Sequence, residues 1–521
     1  MKICFYWLNL QTPPGMSVGV SILANELSQA GHETSVLHLN ERVGVELEDE
    51  YIKEHVRRGS FDLHALSFGQ NHYPAARRLA RLIKEADPDT LILCGGIHTT
   101  LNPEQVLQES DVDFIGLGEV DGLLSRFVEN LERGKYPEKT PNFWAKDGDK
   151  ILHNALSALP DISRQTLPFF DGIDYEGIIK ANRGFAETVV GRGCPMDCNY
   201  CHNRAIQEAY NRNAEKRVRR SAFCRLRSVE NVIEELSAYK SRFARDLKAF
   251  NFGDDRFASD SGWLRSFSVS YVDSIGLPFI CNAIAGQLGT DAAGLLAEAG
   301  CNMVKFGVES GSRRLRHEVL GRQLSEGKLA DSVAKLRKLG VNTRAYVMLG
   351  IPSETKEEML STIRLCAQLR FDSVRPAIVY PYPGTQLHRY CLDKGFLEEG
   401  QAVPGDYSTT TVLNVSRSER VRIEKAAACY FLLLNTFLEG RAAELSRPLL
   451  ARVDGISEDA WTVEEGRKLI SEEGSGLHEK LASAGVQHYF APFGDRPDVI
   501  FLFRKRERPL ISVEDQIGRG Y

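Results

Sequence analysis

The chain has 521 residues, 43% of them hydrophobic and 26% charged, with a formal net charge of -5 at pH 7. That length exceeds one ordinary hydrophobic core and calls for two or three domains. The near-neutral balance leaves no bulk electrostatic footprint for nucleic acid or an anionic membrane surface, and no apolar run reaches the about 18 residues that a bilayer span needs.

The first residues, Met1 to Trp7, lead into polar Asn9 and Gln11 instead of a signal-peptide core. Eleven cysteines, an odd number and mostly scattered singly, do not form the pattern of a disulfide framework. A reducing, cytoplasmic setting fits them better.

Residues 1–135 alternate short apolar runs with amphipathic ones. The pattern predicts strands over 3–7, 34–39, 63–68, 90–94 and 114–117, with helices over 18–30, 75–86 and 121–131. This is an α/β, flavodoxin-like (Rossmann-type) domain, which takes ligands beyond the carboxyl ends of its strands. Those ends carry Thr12-Pro13-Pro14-Gly15, Ser67-Phe68-Gly69, Gly95-Gly96-Ile97-His98 and Gly118-Glu119.

Residues 136–183 hold Pro137, Pro141, Pro160 and Pro168, with Gly148 between Asp147 and Asp149 as a hairpin turn, and read as a linker with some structure. From 184 to 400 strand and helix patterns alternate six times, with strands over 187–190, 247–252, 278–282, 303–307, 342–348 and 373–380. Helices over 229–243, 292–299, 326–339 and 356–369 lie between them. Six such units fit a partial (β/α)6 barrel, whose functional groups belong at the carboxyl ends of its strands. Residues 401–521 form a mostly helical C-terminal accessory domain, with an amphipathic stretch over 419–445, a helix over 463–484 and a strand over 499–503.

After the first barrel strand comes Gly191-Arg192-Gly193-Cys194-Pro195-Met196-Asp197-Cys198-Asn199-Tyr200-Cys201-His202. Cys194, Cys198 and Cys201 are spaced so that one short loop can wrap three thiolates around a metal centre and leave one position open, as a catalytic site requires. A zinc knuckle completed by His202 or Cys224 is the structural alternative, but no second Cys-x2-Cys pair accompanies it.

At these residues the chain resembles the radical S-adenosylmethionine (SAM) superfamily, whose signature is Cys-x3-Cys-x2-Cys with an aromatic residue, here Tyr200, before the last cysteine. The resemblance implies a 4Fe-4S cluster on the three thiolates, with SAM bound to the fourth iron. Further strand ends resemble segments around SAM in that family: Asp254-Asp255-Arg256-Phe257, Cys281-Asn282-Ala283, Glu309-Ser310-Gly311 and Gly350-Ile351-Pro352-Ser353-Glu354. They imply SAM contacts from Tyr200, Asp254, Asp255, Asn282, Glu309, Ser310, Gly350, Ile351 and Pro352. A carboxylate suits the SAM ammonium or ribose hydroxyls, although Asp254 and Asp255 serve equally as a helix cap or first-turn acids. The basic run from Arg212 to Arg227 reads as a solvated face.

Gly-Gly-x-His-x-Thr after the fourth strand and Gly-x-Gly-Glu after the fifth make the first domain similar to the cobalamin-binding domain of one large radical SAM subfamily. Cobalamin contacts are then implied for Gly15, Ser67, Gly69, Gly95, Gly96, His98, Gly118 and Glu119. The Asp-x-His-x-x-Gly motif that supplies a lower cobalt ligand elsewhere is missing; Asp62-Leu63-His64 lies on the third strand, and His98 taken alone shapes its loop.

The resemblance implies reductive cleavage of SAM to a 5'-deoxyadenosyl radical and, with cobalamin, methylation of a carbon centre in a small-molecule substrate. It also implies an electron donor such as flavodoxin or ferredoxin. Cyclisation, dehydration or rearrangement on the same domains is the alternative reaction class, and a metal-binding scaffold or sensor is the non-enzymatic one. Neither nucleic acid nor a membrane span enters the reading.

Overall fold

In the computed structural model, residues 1–503 are described apart from 16, 110, 135–139, 149, 258, 285, 287, 290, 402–408 and 492–499. Pro137, Asp149 and Val499, expected in the linker, at its hairpin turn and at the start of the last strand, lie outside the described residues. The chain divides into two compact units, residues 1–196 with 201–254, and residues 197–200 with 255–521.

The first unit starts with β1 (Lys2–Leu8), β2 (Glu33–Leu39), β3 (Leu63–Ser67), β4 (Leu91–Gly95) and β5 (Phe114–Gly116). They pair in parallel in the order β2-β1-β3-β4-β5, the flavodoxin-like arrangement. The apolar run of β1 serves both faces of the sheet. Ile3 and Phe5 join a cluster with Val20, Leu27 and Phe127, while Cys4 and Tyr6 join one with Ile52, Leu79 and Ile83.

Helix Val18–Gln29 begins at Ser17, whose hydroxyl accepts the Val20 N–H, and Tyr73–Ala86 and Leu124–Glu132 fill the other two expected places. A further helix, Asp49–Gly59, buries only Ile52 and Val56. The expected linker turns out to extend the sheet: β6 (Phe143–Asp147) and β7 (Lys150–Leu152) form a hairpin antiparallel to β5. Trp144, Phe143 and Ala145 bury there, which two short strands could not do alone.

The unit also holds β8 (Phe185–Thr188), β9 (Gly191–Arg192), β10 (Arg225–Leu226) and β11 (Ala249–Phe252). β8 and β11 pair in parallel, and β9 and β10 antiparallel. The basic run before β11 is only in part a solvated face. Lys216, Arg217, Arg219 and Arg220 are exposed, but Arg227 is 1% exposed and pairs with Glu235 at 2.7 Å while donating to the Val189 carbonyl at 3.0 Å. Local charge density could not show this, because the compensating Glu235 comes from the following helix, Val229–Arg242.

The second unit contains four parallel barrel strands, β12 (Phe279–Ala283), β13 (Cys301–Glu309), β14 (Asn342–Leu349) and β15 (Ser373–Ile378). Antiparallel β16 (His488–Phe490) and β17 (Ile500–Phe503) continue beyond β15, so the C-terminal strand joins this sheet. Phe279 packs on Phe267 and Tyr271 of helix Ser261–Ser274, which marks the outer face of β12 and leaves Asn282 on the inner one. Helix Lys356–Leu369 starts with a reciprocal capping box between Thr355 and Glu358.

The amphipathic stretch over 419–445 is three helices, Arg417–Ala428, Tyr430–Thr436 and the start of Arg441–Gly455. Gly440, at φ 74, opens the last of them. Among the described residues no helix is long and apolar enough to cross a membrane.

Removing one partner of a buried ion pair leaves the other charge uncompensated. Arg227→Ala is therefore expected to lower unfolding stability by about 3–5 kcal/mol, and the exposed Arg219→Ala to stay within about 0.5 kcal/mol of the parent. Urea titration followed by circular dichroism checks both values.

Candidate functional site

The cysteine loop follows directly on β9. Gly193 enters it at φ 83, where an added Cβ would stand 2.1 Å from the Phe223 carbonyl oxygen, so the close turn admits only glycine. None of the three cysteines is in a disulfide, Cys194 and Cys198 being buried and Cys201 partly so. Asn203 donates to Cys201 Sγ at 3.7 Å, and Gln207 donates to the Cys194 carbonyl at 3.1 Å. Both donors sit in the first turns of helix His202–Asn213. Among the described residues no three His, Cys, Asp or Glu groups converge within metal-holding range. The Asn203 amide is an N–H donor of the kind that surrounds cluster sulfurs.

Within the first unit, a cavity of about 390 Å³ opens at the carboxyl ends of β3, β4 and β5. One side is formed by Ser67, Gly95, Gly96, Gly118 and Glu119, as the sequence predicts, with apolar Leu66, Leu93 and Val120 beside them. The opposite side is formed by Arg192 and Gly193, just before Cys194, and by Asn203, Ile206 and Gln207, just after Cys201. Gly96 adopts φ 97, and a Cβ there would come within 2.6 Å of the Phe68 carbonyl oxygen. The lining is largely apolar, with glycine backbone on one side.

Three expected contacts are absent from the cavity wall: Gly15, Gly69 and His98. His98 turns away, with Nδ1 2.6 Å from Gln70 Oε1 and its ring stacked on Tyr73 at 4.1 Å. Burial pushes this imidazole down to about 4, so it is neutral near pH 7. Glu119 lines the cavity with its carboxylate already engaged by Arg192, at 2.5 Å, and by Arg225. Arg192 also holds Asp121 at 2.6 Å. Asp254 is likewise committed to backbone: it accepts the Val190 N–H at 2.9 Å and the Gly191 N–H at 2.6 Å.

In the second unit, Glu309 ends β13 at φ 64, a left-handed conformation that is uncommon for a residue with a side chain. The Tyr200 hydroxyl donates to its Oε1 at 3.1 Å. Arg322 donates to the Tyr200 hydroxyl at 3.3 Å, to Cys198 Sγ at 3.6 Å and to the Gly307 carbonyl. Burial pushes the Glu309 carboxyl up, against the opposing pull of Arg322 and the Tyr200 hydrogen bond. A carboxylate, a phenol, a guanidinium and a cysteine sulfur thus share one neighbourhood.

Ile351 packs in the apolar cluster to which Tyr200 and Met348 also belong. Pro352 is buried, and Gly350 donates its N–H to Glu354 Oε2 at 2.8 Å. Ser310, 0% exposed, faces Thr362 of helix Lys356–Leu369. Asp255 is exposed and Asn282 half-buried. Sequence reasoning missed Arg322, which no local pattern marks, and Arg192, whose place inside the cysteine motif could have drawn attention to it.

The first unit thus holds a doubly wound sheet with a glycine-lined cavity at its strand ends, and the second a set of parallel strands with a carboxylate at the end of β13. Two family models match the chain. Residues 188–366 match the radical SAM superfamily and residues 13–128 the B12 binding domain. The chain thus carries a radical SAM domain and a B12-binding domain.

Among its relatives, an uncharacterized methyltransferase of Pyrococcus horikoshii is 26% identical over 327 residues, covering 62% of this chain and 67% of the relative. Cytidylyl-2-hydroxyethylphosphonate methyltransferase of Streptomyces wedmorensis is 20% identical over 63% of this chain and 66% of its own length. Anaerobic magnesium-protoporphyrin IX monomethyl ester cyclase of Rubrivivax gelatinosus is 22% identical over 72% and 66%. The matches thus span about two thirds of each relative. In fold the chain is similar to the radical SAM methyltransferase TsrM from Kitasatospora setae, solved with cobalamin and a [4Fe-4S] cluster (TM-score 0.66, 13% identity, 93% of this chain and 100% of that one). It is also similar in fold to the cobalamin-dependent SAM radical enzyme OxsB (TM-score 0.64, 14% identity, 93% and 76%).

Burial pushes Glu354 up to about 8, against the hydrogen bonds from the Gly350 and Ile351 backbone and the charge of Arg422. A carboxyl whose folded pKa lies above its unfolded one favours the fold fully below the unfolded value, and the advantage is lost as pH rises toward the folded value. The parent protein is therefore expected to lose stability between pH 5 and about 8 relative to Glu354→Gln, which keeps an acceptor for Gly350. Urea midpoints at the two pH values would show a parallel dependence if this is wrong.

Proposed function

We propose that this chain is a radical SAM enzyme that uses cobalamin to methylate a carbon centre of a small-molecule substrate. The observation that carries the reading is the single cavity whose walls are the cradle glycines on one side and the residues flanking Cys194 and Cys201 on the other. When bound, a 4Fe-4S cluster supplies the electron that cleaves SAM to methionine and a 5'-deoxyadenosyl radical, and cobalamin supplies a transferable methyl group.

The chain's own residues prepare that chemistry. Cys194, Cys198 and Cys201 would hold the cluster, with Asn203 and Arg322 donating to two of the sulfurs. Glu309, oriented by Tyr200, would hold the SAM ammonium or ribose, with Asn282 and the Gly350-Ile351-Pro352 turn completing the site. Ser67, Gly95, Gly96 and Gly118 would form the floor under cobalamin, and the surrounding Leu66, Leu93 and Val120 would keep water from the cavity. The electron would come from a flavodoxin- or ferredoxin-like donor, in the reducing compartment that eleven cysteines outside any disulfide suit.

The relatives' names support methyl transfer in two cases and ring closure in a third. Cyclisation is therefore the second reading.

Protein purified without oxygen and reconstituted with iron and sulfide is expected to form 5'-deoxyadenosine from SAM under reduction, and to lose that activity when the three cysteines are changed to alanine. Methyl transfer predicts that S-adenosylhomocysteine accompanies it when cobalamin is present. Its absence, with 5'-deoxyadenosine still formed, would favour cyclisation. Gly96→Val is expected to abolish cobalamin retention, read from the visible spectrum, while leaving iron content unchanged.

A further inference from the structure

The inner face of the barrel strands below Glu309 is basic, and of its residues the SAM reading uses only Asn282. Strand register places its side chains in rows. Asn282 of β12 lies beside Lys305 of β13, Lys305 beside Arg344 of β14, and Arg344 beside Ser373 of β15. Two residues further along, Gly307, Tyr346 and Arg375 form a second row. Alternation along a strand points both rows to the same face, while Val304, Phe306 and Val308 of β13 bury on the other.

Lys305 is 5% exposed and Arg344 3%, unusual places for cations in a sheet. Arg344 Nε donates to Ser373 Oγ at 2.6 Å, which fixes the guanidinium against β15. Gly307 contributes no side chain, and the space beside it is taken by the Glu309 carboxylate and the Arg322 guanidinium, so Tyr346 and Arg375 are the side chains this row presents.

Tyr346 reports the sign of the field at this floor. Burial by itself would push its phenol up, yet Lys305, Arg344 and Arg375 together, with a hydrogen bond from Arg375, bring it below its ordinary value. Positive potential outweighs desolvation here, in a low-dielectric setting where an anion would be strongly held.

We propose that this floor binds an anionic group of the substrate, a carboxylate, phosphate or phosphonate, through Lys305, Arg344, Arg375 and the Tyr346 hydroxyl. The proposal rests on the reading of the chain as a radical SAM enzyme of small molecules and specifies the class of molecule it takes. At about 3.3 Å per strand residue, the Lys305 backbone lies about 13 Å below that of Glu309, whose carboxylate folds back to the level of Gly307. A substrate anchored there by its anion would present a carbon toward the rim, where the radical is formed. The carboxylate of SAM offers the same chemistry from a second source, and the test separates the two.

Full-length protein reconstituted with iron and sulfide is titrated with inorganic phosphate and with methylphosphonate, followed by 31P line broadening, and separately with SAM by calorimetry. Phosphate or methylphosphonate is expected to bind the parent, and Lys305→Met and Arg344→Met to weaken that binding about tenfold or more, since each removes a charged hydrogen bond. SAM affinity should stay within about twofold, less than the loss of one such bond would cause. Arg344→Lys should recover part of the loss.

No binding by the parent, or equal binding by parent and variants, overturns the proposal. Loss of SAM affinity in the variants overturns it as well, because SAM's own carboxylate would then be the occupant. If the buried changes prevent folding, judged by circular dichroism and iron content, Arg375→Met and Tyr346→Phe at half-buried positions carry the same test. Anion binding without any 5'-deoxyadenosine formation by the parent would defeat the enzymatic reading and leave the anion site in place.

Discussion

Arg192 is the side chain on which the first unit's cavity depends. It stands two residues before Cys194, at the end of a two-residue ladder, and reaches to Glu119 and Asp121 just beyond β5. Its guanidinium meets two carboxylates at once, and Arg225, paired with it across the ladder, meets Glu119 as well. Two arginines against two acids, each about one fifth exposed, form a network in which desolvation is offset by charge-assisted hydrogen bonds. It fastens the start of the cysteine loop to the sheet whose glycines form the opposite wall. On the far side of the loop, Leu101 packed against Ala205, Ile206 and Ala209 ties the following helix to the same sheet.

Much of the fold was legible because buried parallel strands must be apolar on both faces. The run from Ile3 to Tyr6 satisfies two separate clusters and therefore reads as a strand with no alternation. The barrel strands carried a second signal, since their inner residues Lys305, Arg344 and Arg375 alternate with outer Val304, Ala345 and Val374. What escaped was decided by partners remote in sequence. The hairpin of β6 and β7 is stable only because β5 receives it, and its prolines and short strands by themselves resemble a linker. The single stretch over 419–445 had one amphipathic pattern throughout, and the break at Gly440 depends on how the following helix packs.

The candidate site divides in the same way. Cys194, Cys198, Cys201 and Tyr200 are bound by spacing within one loop, so the motif alone exposes them. Ser67, Gly95, Gly96, Gly118 and Glu119 follow from the rule that ligands meet the carboxyl ends of parallel strands, and they do line the cavity. His98 and Asp254 obey the same rule in position, and each meets a near partner, Gln70 for the one and the backbone just after β8 for the other. Arg322 was invisible for the opposite reason: it comes from a loop after β13, and only the folded chain brings it to Cys198 and Tyr200.

Glu309 shows what such a site costs the protein before any ligand arrives. A left-handed backbone at a residue with a long side chain is disfavoured by roughly 1–3 kcal/mol, and a register shift in the β13–β14 ladder adjoins it. The strand accepts this irregularity at its open end, where the carboxylate is held by Tyr200. Ordering entropy that a flexible side chain would lose on binding is therefore lost during folding instead. A ligand meets a carboxylate already immobile, and the affinity it gains is drawn from the stability of the strand end itself.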